Sequence, residues 1–526
     1  PLSLDSMKSI AVLGPNADVL RTGGGGSSYV CPEHAPAPLD VLRERCADRI
    51  EIRHEPGIRR KEDVFPVEPR LLYLGEDATQ HGVHVEFFNN TECNGAPSAI
   101  ETVETISCDW GDFSPAPGIY PSYFSCRFST TFIPDESDEV ELKLRAVEGA
   151  RLWIDDELII DLWKEGDGER EDATKWSKKK LASARFSFQR DRCYRLRVEN
   201  YNSSGKAMVA LGCETAVDDP LAAAEAIAAE SDVTLVFAGT SRYDESEGWD
   251  LKSPRLPGDQ EEFIQRIAAA NANTVVVLNN GSPLLIDSWN DNVAALVESW
   301  FPGQEGGAAI ADILLGEVNP SGKLPMTFFR KWEDISAHET YPRQPDPVSN
   351  KEIVDVDTVI ESHDSENPVI EYSEGLFLGY RHVDKNGVEP LYSFGYGLSY
   401  TSFEIVECRL STETIDKNDR QLQVVVTIRN TGERPGAEVV QIYYGAAHPV
   451  SEAPVKQLLA FEKVQIDAGA EKTLNIPITV EDISIFDETI DDWTIVPGEY
   501  QLFIGTAADN IASTLPFTYK ESSSLG

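Results

Sequence analysis

The sequence predicts an α/β layer domain that is split by an all-β insert and followed by a second β-sandwich. Three observations lead there. Strands alternate with helices over residues 8–66 and again after residue 214, the pattern of a parallel sheet covered on both faces. Between those stretches, short runs of period-2 alternation with polar turns replace it. From about residue 401 to 520 such strands return without helices, as in an immunoglobulin-like or fibronectin-like sandwich. A chain of 526 residues is also too long for one domain.

The elements follow in order. Ser9-Ile10-Ala11-Val12-Leu13 is a short buried strand ended by Gly14-Pro15, and a loop with Gly23-Gly24-Gly25-Gly26-Ser27-Ser28 comes next. Pro38–Arg45 reads as a helix and Ile50–His54 as a second strand. The insert, 67–214, carries alternating strands at 83–88, 140–145, 151–154 and 194–198, with Asp155-Asp156 in a hairpin turn. At Asp219-Pro220 an Ala-rich helix starts. Strand 234–239, a helix opening at Asp259 with Glu262 as its capping partner, strands 274–278 and 294–298, and a helix at 308–315 complete the second α/β segment, 215–345. Residues 346–400 are a turn-rich connection, 401–520 the last sandwich and 521–526 a tail.

Composition narrows the function. With 46 basic and 89 acidic side chains the net charge is −43, which repels phosphates and anionic headgroups and disfavours nucleic-acid and membrane partners. No run approaches the ~18 apolar residues of a membrane span. Five of the eight cysteines (Cys93, Cys108, Cys126, Cys193, Cys213) lie in the insert. An odd number cannot all pair there, and one or two disulfides or buried free thiols both fit. His81 and His84 form an HxxH near Cys93 without a second ligand pair, so no metal or cofactor is expected. Asn89-Asn90-Thr91 and Asn202-Ser203-Ser204 are glycosylation sequons. They are only permissive of secretion; an extracellular location is the expectation, with an intracellular one as the alternative. The opening Pro1-Leu2-Ser3-Leu4-Asp5 has no secretion signal and no Met, as expected of a processed product, a fragment or half of a nicked protein.

The loop after strand 234–239, Thr240 to Asp250, holds four carboxylates beside Tyr243 and Trp249. Loops at the carboxyl ends of parallel strands carry chemistry in open α/β sheets. An aromatic wall beside a Glu suits a sugar, and it suits a carboxylic acid whose pKa must rise to protonate a leaving group.

Several further runs make the chain recognisable. Ile10–Ala17 with its Gly/Ser-rich loop, Trp300-Phe301-Pro302-Gly303-Gln304-Glu305-Gly306-Gly307, Asn319–Phe328, Tyr372–Gly375 with Gly379–Arg381, and Pro390–Tyr400 together resemble the C-terminal portion of a family 3 glycoside hydrolase of the β-glucosidase type. The insert, best at Gly149–Asp156, resembles the protective-antigen-like sandwich of a subset of that family, and 401–520 its fibronectin type III-like domain. The likeness implies a retaining mechanism with two carboxylates ~5–5.5 Å apart. The family's nucleophilic Asp belongs to an N-terminal (β/α)8 barrel, expected here in cis or in trans, and this chain alone is expected to be inactive. Glu247 matches the acid/base position, Glu-Gly-aromatic-Asp, with Glu245 two residues away as the fallback. Tyr243 and Trp249 are the candidate substrate contacts. β-Glucoside oligosaccharides or aryl glucosides are the implied substrates, short ones preferred if the insert narrows the leaving-group side. An oligomer is compatible with the sequence. Two alternatives stand beside this one: a non-catalytic carbohydrate-binding or scaffold protein, and a β-xylosidase of the same family. Gly23–Gly26 lacks the GKS/GKT of a phosphate cradle and reads as a loop near the sugar site. Trp300, Phe301 and Gly303–Gly307 read as packing and tight turns, and Glu374 and Arg381 as a structural pair.

Overall fold

The computed structural model describes residues 1–60, 63–75, 77–111, 113–164, 169–170, 179–216, 219–247, 251, 253–338, 372–447 and 453–520. They form two compact units, one made of residues 1–58 and 221–526 and the other of residues 59–220.

The first unit is built on a five-stranded parallel sheet: β1 (Ser9–Leu13), β2 (Glu51–Glu55), β3 (Val233–Gly239), β4 (Thr274–Asn279) and β5 (Ala295–Glu298), in the order β5-β4-β3-β1-β2. Both faces are covered, which is why β1 is apolar at nearly every position. Ile10, Val12, Leu235, Phe237 and Val277 meet α1 (Pro38–Cys46) and α4 (Gly306–Leu315) through Leu39, Leu42, Ile310 and Leu314. Their alternates Ala11, Leu13, Val236, Val276 and Leu278 meet α2 (Pro220–Ala229) and α3 (Gln260–Ala270) through Ala224, Ala228, Phe263, Ile264 and Ile267. The period-2 alternation of each strand thus feeds two separate cores. From β1 the chain goes to β2 on one side and reaches β3 on the other. The carboxyl ends of β1 and β3 therefore form a topological switch point, where such sheets bind ligands.

Three details differ from expectation. Asp259 stands before α3 but makes no side-chain cap bond. Its φ of −93° and ψ of 18° lie outside the extended region from which a capping side chain reaches the first turn, so no capping box forms with Glu262. Within the turn-rich connection lies a short helix, α5 (Tyr380–Asn386). Glu374 and Arg381 do not pair: Glu374 Oε2 and Arg381 Nε are buried without hydrogen-bond partners among the described residues.

The C-terminal sandwich has a three-stranded sheet (Phe403–Leu410, Gln421–Asn430, Glu471–Thr479) and a five-stranded one (Thr414–Asp416, Asn510–Lys520, Gly498–Ala507, Gly436–Ala446, Gln457–Ile466). Alternating residues such as Val424, Val426, Ile428, Val440, Ile442, Ile476, Leu502 and Ile504 fill the space between them. Lys323 reaches it from the α/β side with an ion pair to Glu438 at 2.7 Å.

The second unit is all β, with an eight-stranded and a five-stranded sheet. Phe87, Phe124, Phe128, Leu142, Leu144, Leu152, Leu196 and Val198 lie in its core. Asp155 and Asp156 occupy the hairpin turn between Gly149–Ile154 and Glu157–Asp161, both at positive φ (49° and 71°), and pair with Arg192 and Arg195. Residues 65 and 66 already run against Cys213 and Gly212, so the expected bounds of 67–214 fall inside this unit. The Asn202 side chain is fully buried and donates to Gly205 O at 2.9 Å. That corrects its reading as a glycosylation site, because a glycan needs an accessible amide. Asn89 is half-buried, donating to Gly118 O and accepting from Tyr120 N. All eight cysteines are unpaired. Among the described residues no helix is long and apolar enough to cross a membrane.

Candidate active site

The site grows from the end of β3. Gly239 closes the strand at φ 149°, with the position of a Cβ only 2.0 Å from Asn279 O, so no side chain fits there. The buried Gln260 amide caps its backbone, accepting from Gly239 N at 2.8 Å and donating to Gly239 O at 2.9 Å. Beyond it the chain turns sharply. Glu245 N and Asp244 N donate to Ser241 O, and the Asp244 carboxylate accepts from Ser241 N and Oγ. This turn aims Glu245 back at the sheet. Its Oε1 accepts from Thr240 Oγ1 at 2.6 Å and from Gly281 N at 3.0 Å, just past β4.

The glycine loop of the first segment completes the site. Gly25 N donates to Glu245 O at 2.8 Å, and Gly25 bridges Ser246 in parallel register. One residue on, Gly26 has φ +68°, and a Cβ there would lie 2.5 Å from the Glu247 Cβ. Ser27 N then donates to Glu247 Oε2 at 2.9 Å. The loop is a cradle for the acidic segment, joined to it across more than 200 residues of sequence.

Two carboxyls at the strand ends are driven in opposite directions. The exposed Glu247 carboxyl is held below the usual range by the hydrogen bonds it takes from Ser27. The sequence led us to expect an aromatic wall raising it; in this chain two donors and open solvent act the other way. Glu298, the last residue of β5, is pushed up to about 8 by burial. Trp300 N and the Asn280 amide pull against that shift, and the negative charge of Glu245 adds to it. Although Glu298 keeps some solvent-accessible surface, its carboxyl sits among densely packed atoms.

The structure thus brings Glu245, Glu247, Tyr243 and the glycine loop together. Tyr243 takes a hydrogen bond from Arg242 at 2.9 Å, and the Arg242 guanidinium lies 5.1 Å from the ring centroids of both Tyr243 and Tyr29. Trp249 lies outside the described residues. Trp300, at φ 51°, packs on Phe328, as the packing reading expects. Gln260 and Glu298 had no signal in the sequence, and Ser27 and Thr240 were marked only as members of their loops; the sheet's topology selects all four. Among the described residues, no three His, Cys, Asp or Glu side chains are grouped to hold a metal.

Comparison with known proteins decides the family. Residues 1–380 match the profile of the glycosyl hydrolase family 3 C-terminal domain. The chain belongs to glycosyl hydrolase family 3. Residues 438–508 match the fibronectin type III-like domain that follows in this family 3 chain. A β-glucosidase of Rhizobium radiobacter is 33% identical over 98% of the chain and 59% of its own length. β-Glucosidase B of Emericella nidulans is 32% identical over 96% and 58%. The β-glucosidase of Kluyveromyces marxianus, solved in complex with glucose, superposes with a TM-score of 0.79 at 27% identity, over 99% of this chain and 59% of that one. The family 3 chain described here therefore spans about six-tenths of the length of the relatives it matches.

Proposed function

We propose that this chain supplies the proton-transfer half of a retaining β-glucosidase, with Glu247 as acid/base. The nucleophile lies in an N-terminal (β/α)8 barrel outside these residues, in cis or in trans. The observation that supports it is the placement of Glu247: an exposed carboxyl at the switch point of the sheet, held by Ser27 N–H. Glu245, the fallback, is less suited, because its carboxylate holds the loop to Thr240 and Gly281.

The chemistry follows from that placement. A general acid must carry a proton when the glycosidic oxygen leaves, and must remove one from water in the second step. Glu247 alone is an ionised carboxylate at neutral pH, given the donors on it. Covering it with a sugar removes water and disfavours the charge, which raises its pKa towards the working range. The glucosyl ring, held by the barrel, would then receive the proton on its leaving oxygen.

A second reading has its own support. Phe113, Tyr120 and Tyr123 are exposed aromatics on one loop of the all-β insert and suit stacking on a sugar ring. Glycan binding retained by residues 59–220 alone would favour a binding role for the insert.

Glu247→Gln in the barrel-completed enzyme tests the leading reading. Hydrolysis of glucosides with poor leaving groups is expected to fall by about 10²–10⁴-fold, and that of dinitrophenyl glucoside far less. The purified 526-residue chain is expected to show no turnover. Equal rates for Glu247→Gln and wild type on a poor leaving group would remove Glu247 from the role.

A further inference from the structure

Two recognisable runs, Asn319–Phe328 and Pro390–Tyr400, make none of the contacts described above that hold Glu247. They meet each other instead. Leu324 N donates to Tyr396 O and Gly395 N to Leu324 O, both at 2.8 Å, and Phe328 bridges Tyr392 in antiparallel register. That register sets Thr327 directly opposite Ser393, so the two side chains share one face, with Cβ atoms roughly 5 Å apart. The same ladder is joined to the C-terminal sandwich. The Gln441 amide donates to Gly395 O at 3.1 Å, and Ala508 N donates to Phe394 O at 2.9 Å.

Thr327 and Ser393 line a cavity of about 20 Å³. Both residues are more than nine-tenths buried, and neither Thr327 Oγ1 nor Ser393 Oγ has a hydrogen-bond partner among the described residues. Stranding two buried hydroxyls is costly, and each of them can both donate and accept. The other walls narrow the choice of ligand. Side chains such as Val383 and Phe394 are apolar. Asp384 also lines the cavity, but both its oxygens accept from Lys456 Nζ at 2.6 Å, so its charge is already matched. The remaining carboxylate, Asp509, is exposed. A cation would therefore meet no unmatched enclosed charge, and an anion would face two carboxylates. The space exceeds the ~10–15 Å³ that one water needs and falls far short of a sugar or polyol.

We propose that this cavity is a structural water site, in which one water bridges Thr327 Oγ1 and Ser393 Oγ. Water donates to one hydroxyl and accepts from the other without bringing a charge. The bridged pair completes the ladder where the α/β layer passes into the C-terminal sandwich. The two runs thus build a joint, and this role is independent of the assignment of Glu247.

Thermal melts of the purified 526-residue chain test the site through a sign. Val is close to Thr in shape, so Thr327→Val removes little besides the hydroxyl. With a bridging water, Thr327→Val and Ser393→Ala each strand what is left, and each is expected to lower the melting temperature by about 2 °C or more. The double variant is expected to fall little further than either single one, because the water is lost only once. Hydroxyls that bind nothing give the opposite sign, since their removal is neutral or stabilising. Unchanged or raised melting temperatures for both single variants overturn the proposal. Melts in NaCl, KCl and choline chloride at one ionic strength are expected to coincide. A rise with one metal cation that disappears in the double variant would make the ligand an ion and overturn the water. A crystal structure is the direct check: one oxygen at about 2.7–3.2 Å from both hydroxyls is expected, and hydroxyls bonded directly to each other would overturn the bridge.

Discussion

Gly26→Ala should separate the cradle from Glu247, the proposed acid/base. The added methyl meets two obstacles. Gly26 sits at φ +68°, a region that costs an Ala about 1–2 kcal/mol. Its Cβ would also fall 2.5 Å from Glu247 Cβ and 2.8 Å from Glu247 N, against 3.4 Å for ordinary contact. The two loops must part by roughly 1 Å, since neither neighbour is the end of a flexible side chain. A shift of that size at a reacting group costs up to ~10²-fold in rate, or about 2.7 kcal/mol. Gly23→Ala is the control: nothing lies within 4 Å of its Cβ and its φ is not positive. The assay is kcat/KM of the barrel-completed enzyme on glucosides of graded leaving-group ability, with thermal melts of each variant. Gly26→Ala should lose most where the leaving group most needs a proton, while Gly23→Ala stays within about twofold of wild type. Equal rates for the two variants would show that the glycine loop does not set the position of Glu247.

Two more outcomes follow from the same strand ends. Glu298 keeps its proton in the native state up to about pH 8, whereas in the unfolded chain it ionises near the ordinary 4.5. The native state binds the extra proton between those values, so stability falls as pH rises through that window, by at most about 1.4 kcal/mol per pH unit, and levels off above it. Glu298→Gln should abolish this slope: its melting temperature relative to wild type should climb from pH 5 to pH 8, and a constant offset would refute the linkage. Gln260→Leu should cost about 2–4 kcal/mol in urea unfolding, because it strands the buried N–H and C=O of Gly239. A loss under about 1 kcal/mol would mean that water replaces the amide.

The sheet was legible because strands buried on both faces write themselves as unbroken apolar runs, as at Ile10–Leu13 and Leu235–Ala238. The acidic loop was legible for a related reason: charge clustered directly after such a strand has to lie at its carboxyl end. What joins that loop to the rest was not. The pairing of Gly25 with Ser246 spans the whole insert, and no local pattern announces a contact of that sequence separation. Glu298 looked like the polar end of a strand, since its enclosure depends on Asn280 and Trp300 from neighbouring segments. The sequon at Asn202 and the capping pair Asp259/Glu262 failed because each motif specifies residue types, while accessibility and backbone angles decide whether it acts.

Glu247 and Glu298 lie near the same strand ends in opposite electrostatic settings. A donor whose pKa is raised before substrate arrives needs desolvation or a like charge beside it, and at Glu247 the hydrogen bonds from Ser27 outweigh any such push. The Glu298 carboxyl sits among packed atoms and accepts from Asn280 and Trp300. Glu247 has the access, and without substrate its charge is stabilised by Ser27. If Glu247 is the proposed acid, the raised pKa it requires has to come with the substrate, through displacement of water from an exposed carboxylate. In the proposed role that places the burden on the loop's position, because a carboxylate that gained its proton only under a sugar would already have to lie where the leaving oxygen will be. Thr240, Gly281, Gly25 and Ser27 each hold the segment at one point, three of them through backbone N–H groups whose directions are fixed by the sheet and the glycine turn. Rigidity at the base of the loop and openness at Glu247 are in this sense one design.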